Sequence, residues 1–600
     1  MTKRFFAIFF AAAAAAALLI TGFNAAVDPF GIFGDRLFSW WSYDMTQNPR
    51  TAKIGYLDRC HENYDAYIIG CSKTSSFPTD RLNELYGASF YNLMMYGGDL
   101  YDVEKTVEYV LEHYGAKHIV VNIGFDELCD YENESDDTKG NLHAKVDGSS
   151  LLRFYAKYLF ANPEYALDKI SAYVKNGFLV NENRVFCAET GVYDKSLRDV
   201  EPISSLDAYL EKYPDFETTH TAISSMPDTE ACLASIARMK ALCESRGASF
   251  TFIISPMYAN DLDRYICGDL FDFLTRLADI TDYWDFNGYT EVSFEPRWFY
   301  DTTHPRNAVV EMALAFMAGD KDAYVPDGFG VHVTSENAAE LSRYVRPAQE
   351  PSVRNREVPV PVLMYHHISD TFQSAATVSS ETFRAHMQAL SDAGYHAVSF
   401  AQLIAYVDRG EALPESPIVI TFDDGYSSNL EIAAPILADL GFCAEVAVIG
   451  ESIGGGSEKL PHFSMEDARA WVEDGVLEIG AHSYGMHRTE TRQGVYKMRG
   501  ETEKAYVNAF TEDTQAVTSL IEDGLGVRPS VYAYPYGYHS DITEVILSQM
   551  GYRVTLTVQD GVNTIVRGLA QSLRSLKRHN VTEDMSPETL LADLKGLKAQ

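Results

Sequence analysis

Four short clusters in the C-terminal half of this 600-residue chain carry residue types that can act on a polarised carbonyl. The first, Thr421-Phe-Asp423-Asp424-Gly425, follows the apolar run Pro417-Ile-Val-Ile420, so two adjacent carboxylates stand at the end of a predicted strand. Strand alternation sends neighbours to opposite sides, which lets one carboxylate ligate a metal while the other stays free as a base. An Asp-Gly turn capping the next helix uses the same residues. The second cluster, Glu478-Ile-Gly-Ala-His482-Ser-Tyr-Gly-Met-His487, places two histidines five apart. Five residues turn a helix by ~500°, so joint ligation requires a loop or a frayed turn. Two histidines and one carboxylate leave a coordination position open for water and substrate. The third, Tyr532-Ala-Tyr534-Pro535-Tyr536-Gly537, is either a turn with aromatic packing or a loop aiming a backbone N–H at a developing oxyanion. The fourth is Leu576-Lys-Arg578-His579-Asn-Val581.

The N-terminal half holds a different set. Ile69-Gly70-Cys71-Ser72-Lys73 ends the first predicted strand, and Asp301-Thr-Thr-His304-Pro closes the same unit. A serine on the turn after a strand, with Asp and His three apart, supplies nucleophile, orienter and base. The alternative makes Ser72 a helix N-cap and Asp301 and His304 a loop network.

The C-terminal motifs, with the opening Leu363-Met-Tyr-His-His367, resemble the polysaccharide deacetylase family and its NodB homology domain over about Val358 to Val581. The H-x4-H spacing is similar to the branch acting on poly-N-acetylglucosamine. That resemblance implies a distorted, incomplete β/α barrel, Asp423 as general base, and Asp424, His482 and His487 as ligands to a divalent metal, with zinc the expected ion. It implies the Tyr536 backbone N–H as oxyanion donor. Many members carry an arginine where this chain has Ala533, so the orientation of Asp423 falls to another residue, with Arg578 the candidate. His579, ahead of His366, is the expected general acid, although either suits a structural hydrogen bond equally.

The N-terminal motifs resemble the SGNH or GDSL hydrolase superfamily over about Asp28 to Gly319, particularly its membrane-anchored members that handle acyl groups on envelope polymers. Here Cys71 stands in place of the usual acidic residue, and Gly97 and Asn122 are the positions for oxyanion partners. The expected activity is metal-dependent de-N-acetylation of an extracellular N-acetylhexosamine polysaccharide, with ester-linked acyl chemistry in the N-terminal unit. An O-acetyl esterase acting on a glycan such as acetylated xylan, and a glycan-binding envelope protein, are the alternatives.

Positioning these residues requires strands whose carboxyl ends converge. Apolar runs predict strands at 64–70, 89–95, 118–124, 249–255 and 282–286 in the first unit, separated by helical patterns at 103–114 and 230–245. An open, three-layer parallel sheet is the expectation, with residues 129–228 as an inserted lobe. In the second unit, strands are predicted at 359–365, 418–422, 444–449, 477–482, 531–534 and 552–558, with helices such as 381–393 and 430–440. The polar stretch 334–357 reads as a linker, which gives an α/β chain of two domains, 28–333 and 358–600.

Residues 5–26 form an apolar run after Lys3-Arg4, long enough to cross ~30 Å of hydrocarbon. The expectation is a retained anchor over residues 1–27, rather than a cleaved signal peptide, with both domains outside the cytoplasm. The net charge of -36 repels nucleic acid, so the expected partners are a polysaccharide and the membrane. Eight cysteines, none in a CxxC pair, argue against a disulfide-built fold or a zinc ribbon.

Overall fold

The computed structural model describes residues 2–35, 37, 48–128, 131, 140–175, 185–337 and 341–598. Portions of the expected lobe (129–130, 132–139 and 176–184) and of the linker (338–340) lie outside the described residues. Two compact units divide the chain. One comprises Met1–Lys195, Leu210–Lys321 and Val325–Val353; the other comprises Ser196–Tyr209, Asp322–Tyr324 and Arg354–Gln600.

The apolar N-terminal run is a continuous helix, α1 (Thr2–Val27), whose side chains stand exposed until its last turns. There Asn24 is buried and donates to the carbonyls of Leu159 and Ala161 at 3.0 and 2.8 Å. Asp28 then accepts from the backbone N–H groups of Ile32, Phe33 and Asp35, and the buried Lys169 ammonium reaches Asp35 at 2.6 Å. The end of α1 is thus built into the first unit.

In that unit the predicted runs become β1 (Ala66–Gly70), β2 (Phe90–Met94), β3 (His118–Ile123), β4 (Ser249–Ile254) and β5 (Tyr283–Asp285). A sixth strand that periodicity does not predict, β6 (Val331–Val333), runs antiparallel along β5 at the sheet edge. Three residues are too few for alternation to register. The order is β2-β1-β3-β4-β5-β6, parallel up to β5. Tyr67, Ile69, Tyr91, Leu93 and Val121 join one core with α2 (Leu100–His113), α3 (Thr229–Ser245) and α4 (Gly268–Ile280). The alternate residues of β1 and β2 are buried too, so both faces are covered, as a parallel sheet demands. Strand order reverses at β1, whose neighbours are β2 and β3; the crevice beyond its carboxyl end is where such sheets hold ligands.

The second unit is a curled parallel sheet. Its strands are β7 (Val362–Tyr365), β8 (Pro417–Asp424), β9 (Ala444–Val448), β10 (Leu477–Ala481), β11 (Val531–Ala533), β12 (Val554–Leu556) and β13 (His579–Asn580), in the order β12-β11-β10-β9-β8-β7-β13. Leu556 of β12 also bridges Leu576, just before β13 pairs with β7, so one short segment touches both ends of the sheet and nearly closes it. Helix α5 (Phe400–Arg409) packs Phe400, Leu403, Tyr406 and Val407 against the interior residues Val419, Ala447, Val531 and Val554. The predicted helix at 430–440 begins instead as a π-turn, Asn429–Ala433, before turning α-helical over Ala434–Asp439. Pro435 lacks the N–H an α-helix would need there, and the wider turn accommodates it.

Candidate functional site

The carboxyl ends of β8 and β10 bring Asp424, His482 and His487 together, with one ligand atom from each within 4.8 Å of the others. The Nε2 atoms of His482 and His487 lie 3.8 and 3.6 Å from Asp424 Oδ1. His482 is buried and its Nδ1 donates to the Ala533 carbonyl at 2.8 Å, which turns the lone pair of Nε2 into the site. Burial and the neighbouring His482 lower His487 to about 4, so its imidazole is neutral and able to ligate at physiological pH. The two histidines meet because Ser483 takes a left-handed φ of 68°, breaking the chain out of the strand before any helix forms. Asp424 Oδ1 is buried without a hydrogen-bond partner. An orphaned carboxylate oxygen facing two imidazole lone pairs is a donor set that fits a divalent cation.

Asp423 and Asp424 do not simply point apart. Asp424 has φ 76°, a left-handed conformation that turns its carboxylate back toward the pocket, and His482 Nε2 lies 4.0 Å from Asp423 Oδ2 as well. Strained non-glycine residues at Asp424, Ser483 and Tyr536 cluster at this one edge of the sheet, a pattern associated with functional sites.

Arg578 takes the place that Ala533 leaves open. Its guanidinium, fully buried, donates from Nη1 to Asp423 Oδ1 and from Nη2 to Oδ2, both at 2.7 Å. Burial alone would raise Asp423, but Arg578 and then His482 outweigh it and hold the carboxyl well below the usual carboxylate range. His579, the first residue of β13, pairs with Leu363 and is turned away from Asp423. Its Nδ1 pairs with Asp560 Oδ1 at 2.8 Å and its Nε2 lies 3.8 Å from Asp593, not among the metal-type ligands. His366 follows directly on β7, level with Asp423 in the strand register, and its charge contributes to keeping Asp423 ionised. Tyr536 stacks on His487 with ring centroids 4.6 Å apart and has φ 57°.

Three supporting residues carry no signal in the sequence. Asn429, in the π-turn, donates to the His366 carbonyl at 2.8 Å. Asp513, on the helix Glu503–Leu525, accepts from the N–H groups of Tyr484 and Gly485 and fixes the loop between the two histidines. Glu445, one layer beneath Asp423 on β9, is buried with both oxygens unpartnered and pushed well above the usual range by burial. None of the three stands in a local motif.

In the first unit, Ser72 Oγ and His304 Nε2 are 2.7 Å apart, and His304 Nδ1 lies 2.8 and 2.9 Å from the two Asp301 oxygens. Burial would raise Asp301, but His304 and the backbone N–H groups of Thr303 and His304 hold it well below the usual range, though its side chain is half exposed. The turn bearing Ser72 passes so close to β3 that a Cβ on Gly70 would collide with the Asn122 carbonyl. Lys73 pins the same turn with a buried ammonium bound to Asp126 and Glu127 at 2.7 and 2.9 Å. Asn122 is buried, donates to Thr74 Oγ1 and accepts from Ser255 Oγ. The Gly97 carbonyl accepts from Arg50. Cys71 is fully buried, and among the described residues no cysteine is in a disulfide.

Residues 410–555 match the polysaccharide deacetylase family. YxkH of Bacillus subtilis (strain 168), named as a polysaccharide deacetylase, is 26% identical over 241 residues, covering 40% of this chain and 77% of its own. The poly-beta-1,6-N-acetyl-D-glucosamine N-deacetylase of Escherichia coli (strain K12) is 25% identical over 266 residues, covering 38% of this chain and 40% of that enzyme, so well over half of the enzyme lies outside the match. Among solved structures, IcaB from Ammonifex degensii aligns with 39% of this chain and 97% of its own, at 26% identity and a TM-score of 0.35. The C-terminal region is a polysaccharide deacetylase domain, and the homologues in that family are hydrolases of carbohydrate acetamides.

Proposed function

We propose that the C-terminal unit hydrolyses the acetamide groups of an extracellular N-acetylhexosamine polysaccharide. The observation that carries this reading is the pairing of an arginine-held Asp423 with the orphaned Asp424 oxygen, which lies between the His482 and His487 Nε2 atoms. Asp424, His482 and His487 would hold a divalent cation, zinc by preference for such a donor set, and that ion supplies Lewis acidity and a lowered pKa for water. Asp423 takes the proton from the attacking water at its carboxylate. The Tyr536 backbone N–H donates to the developing oxyanion. His366 is the better-placed acid, because it stands level with Asp423 whereas His579 is turned toward Asp560. It gives a proton to the departing nitrogen, leaving a free amine and acetate. Acetate release from N-acetylglucosamine oligomers, compared with acetylated xylan and with chelator present, tests the reading: release from the amide substrates alone, abolished by chelator, is expected. Release only from the esters would make the unit an O-deacetylase, and binding without release would make it a glycan-binding module.

A second reading concerns the first unit and rests on the 2.7 Å contact between Ser72 and His304 with Asp301 behind the ring. Ser72 attacks an ester-linked acyl group while His304 takes its proton and passes it to the departing alcohol as the ester C–O bond breaks; water or an acceptor hydroxyl, deprotonated by His304, then takes the acyl group from Ser72, with Asp301 holding the imidazole in register. Ser72→Ala should remove hydrolysis or transfer of a small acyl ester and leave chelator-sensitive acetate release unchanged. Retention of ester turnover in that variant would make the trio structural.

The docked end of α1 supports a retained membrane anchor. Cleavage near residue 26 would withdraw the Asn24 side chain from the two carbonyls it serves.

A further inference from the structure

Two helices of the first unit, Leu151–Leu159 and Glu164–Lys175, pack at the end of α1 as a hairpin. One face of the hairpin turns inward. Phe154 and Tyr158 of the first helix and Ala166 and Lys169 of the second are buried. Phe30, just beyond α1, packs its ring against Tyr158 and Tyr165 with centroids 4.9 and 5.2 Å away, and the Lys169 ammonium donates to the Asp28 carbonyl at 2.9 Å. The hairpin is thereby fixed to the segment into which α1 runs.

The outer face is apolar and left in water. Leu152 is 83% exposed, Val174 76%, Phe160 60% and Leu167 55%. Leu167 and Val174 stand seven residues apart, about two turns, so they share one stripe of their helix. Soluble surfaces scatter large apolar residues singly, whereas several on one hairpin mark an interaction surface. What covers this one follows from α1. Crossing ~30 Å of hydrocarbon takes ~20 helical residues, and counted from Phe5, after Lys3-Arg4, that span ends at about Asn24. Asn24 donates to the carbonyls of Leu159 and Ala161, so Phe160, which stands between those two residues, is held at the level where the helix leaves the hydrocarbon. Tyr155 and Tyr165, half-buried on the same hairpin, are of the residue type enriched at that level.

We propose that the hairpin is a second membrane contact, with Leu152, Phe160, Leu167 and Val174 seated in the lipid interface beside α1 in the manner of interfacial amphipathic helices. This rests on the retained-anchor reading and extends it from one crossing helix to two contacts. Two contacts set the orientation of the first unit, and with it the crevice of Ser72, against the plane of the bilayer.

The test uses the full-length protein reconstituted into phosphatidylcholine vesicles, with Phe160→Trp and Leu167→Trp made separately at sites where the side chain is already exposed. Fluorescence is compared between ordinary vesicles and vesicles whose lipids carry bromine on the upper acyl chains, and the wild type, with its five tryptophans, supplies the baseline. An interfacial face sits ~5–10 Å deep, within reach of those bromines, so the emission added by each new tryptophan should fall by about half or more. Vesicle flotation after an alkaline wash runs in parallel. Protein that stays on the vesicles with both added tryptophans unquenched overturns the interfacial hairpin and leaves the anchor standing. The same result together with a cross-linked dimer assigns the face to a second copy of this chain instead. Protein washed off the vesicles sinks the anchor and the hairpin contact together.

Discussion

Replacing Arg578 by methionine keeps a long buried side chain and removes both bonds that the guanidinium makes to Asp423. Breaking one side of a buried, hydrogen-bonded ion pair costs about 3–5 kcal/mol. A buried carboxylate escapes most of that cost by taking a proton, and one pKa unit corresponds to about 1.4 kcal/mol, so Asp423 should rise by about 2–4 units. In the wild type the group is depressed: the stability it contributes is present above its unfolded value of about 3.9 and is lost as pH falls through the folded value. In Arg578→Met burial is no longer opposed by the guanidinium, so most of the stability that the ionised carboxylate contributes above its unfolded value is lost. The assay is kcat/KM for acetate release across the acid and neutral range, with melting temperatures of the metal-stripped protein over the same range. The acid limb should move up by at least about one pH unit, and the melting temperature of the variant should gain less between acid and neutral pH than the wild type's does. An unmoved acid limb in a folded variant would show that Arg578 does not keep the base ionised. A double-mutant cycle with Asp423→Asn completes the measurement: the pair of changes should cost less in stability than the sum of the single ones, because no charge is left stranded.

Ligand and base should separate by metal content. His482→Ala or His487→Ala should lose both bound metal and turnover, whereas Asp423→Asn should keep the metal by elemental analysis and lose about 100-fold or more in rate. Gly480→Ala should destabilise the second unit by about 1–3 kcal/mol, because its Cβ would collide with Glu445 Oε1 and lie 2.9 Å from the Val531 carbonyl. Thermal unfolding reads this, and an unchanged transition would mean that the Glu445 carboxyl does not occupy that space. The intact protein should fractionate with membranes and retain residues 2–27 by mass, with both units open to protease added outside cells; cytosolic, protected protein would refute the topology.

The motifs at 421–425 and 482–487 are legible because each donor sits within one strand end, and local order along the chain is what a sequence displays. The loop geometry demanded by two histidines five apart is present, realised through the left-handed Ser483. Alternation misplaces the Asp424 carboxylate, since it assumes extended backbone and Asp424 departs from it. Its place in a motif favours His579 as the acid, yet the preceding Arg578 is the residue that reaches Asp423, while His579 pairs with Asp560. Asn429 and Asp513 act on backbone groups 63 and 28 or more residues away, a relation that only the folded sheet creates. The contact between Ser72 and His304 spans 232 residues, and sequence can suggest it because strand order brings both ends of that unit to one edge.

The segment that closes the curled sheet also carries Arg578, which lies 155 residues beyond the carboxylate it serves. Bringing ends that far apart together costs on the order of 4 kcal/mol of chain entropy, so this pairing belongs among the late events of folding. Without that segment Asp423 stays buried on β8 but loses the guanidinium it faces, an environment that favours its protonated form. The base and the closure of the sheet therefore share one residue: a chain interrupted before residue 578 would lose the seam and the group that keeps Asp423 ionised in a single cut.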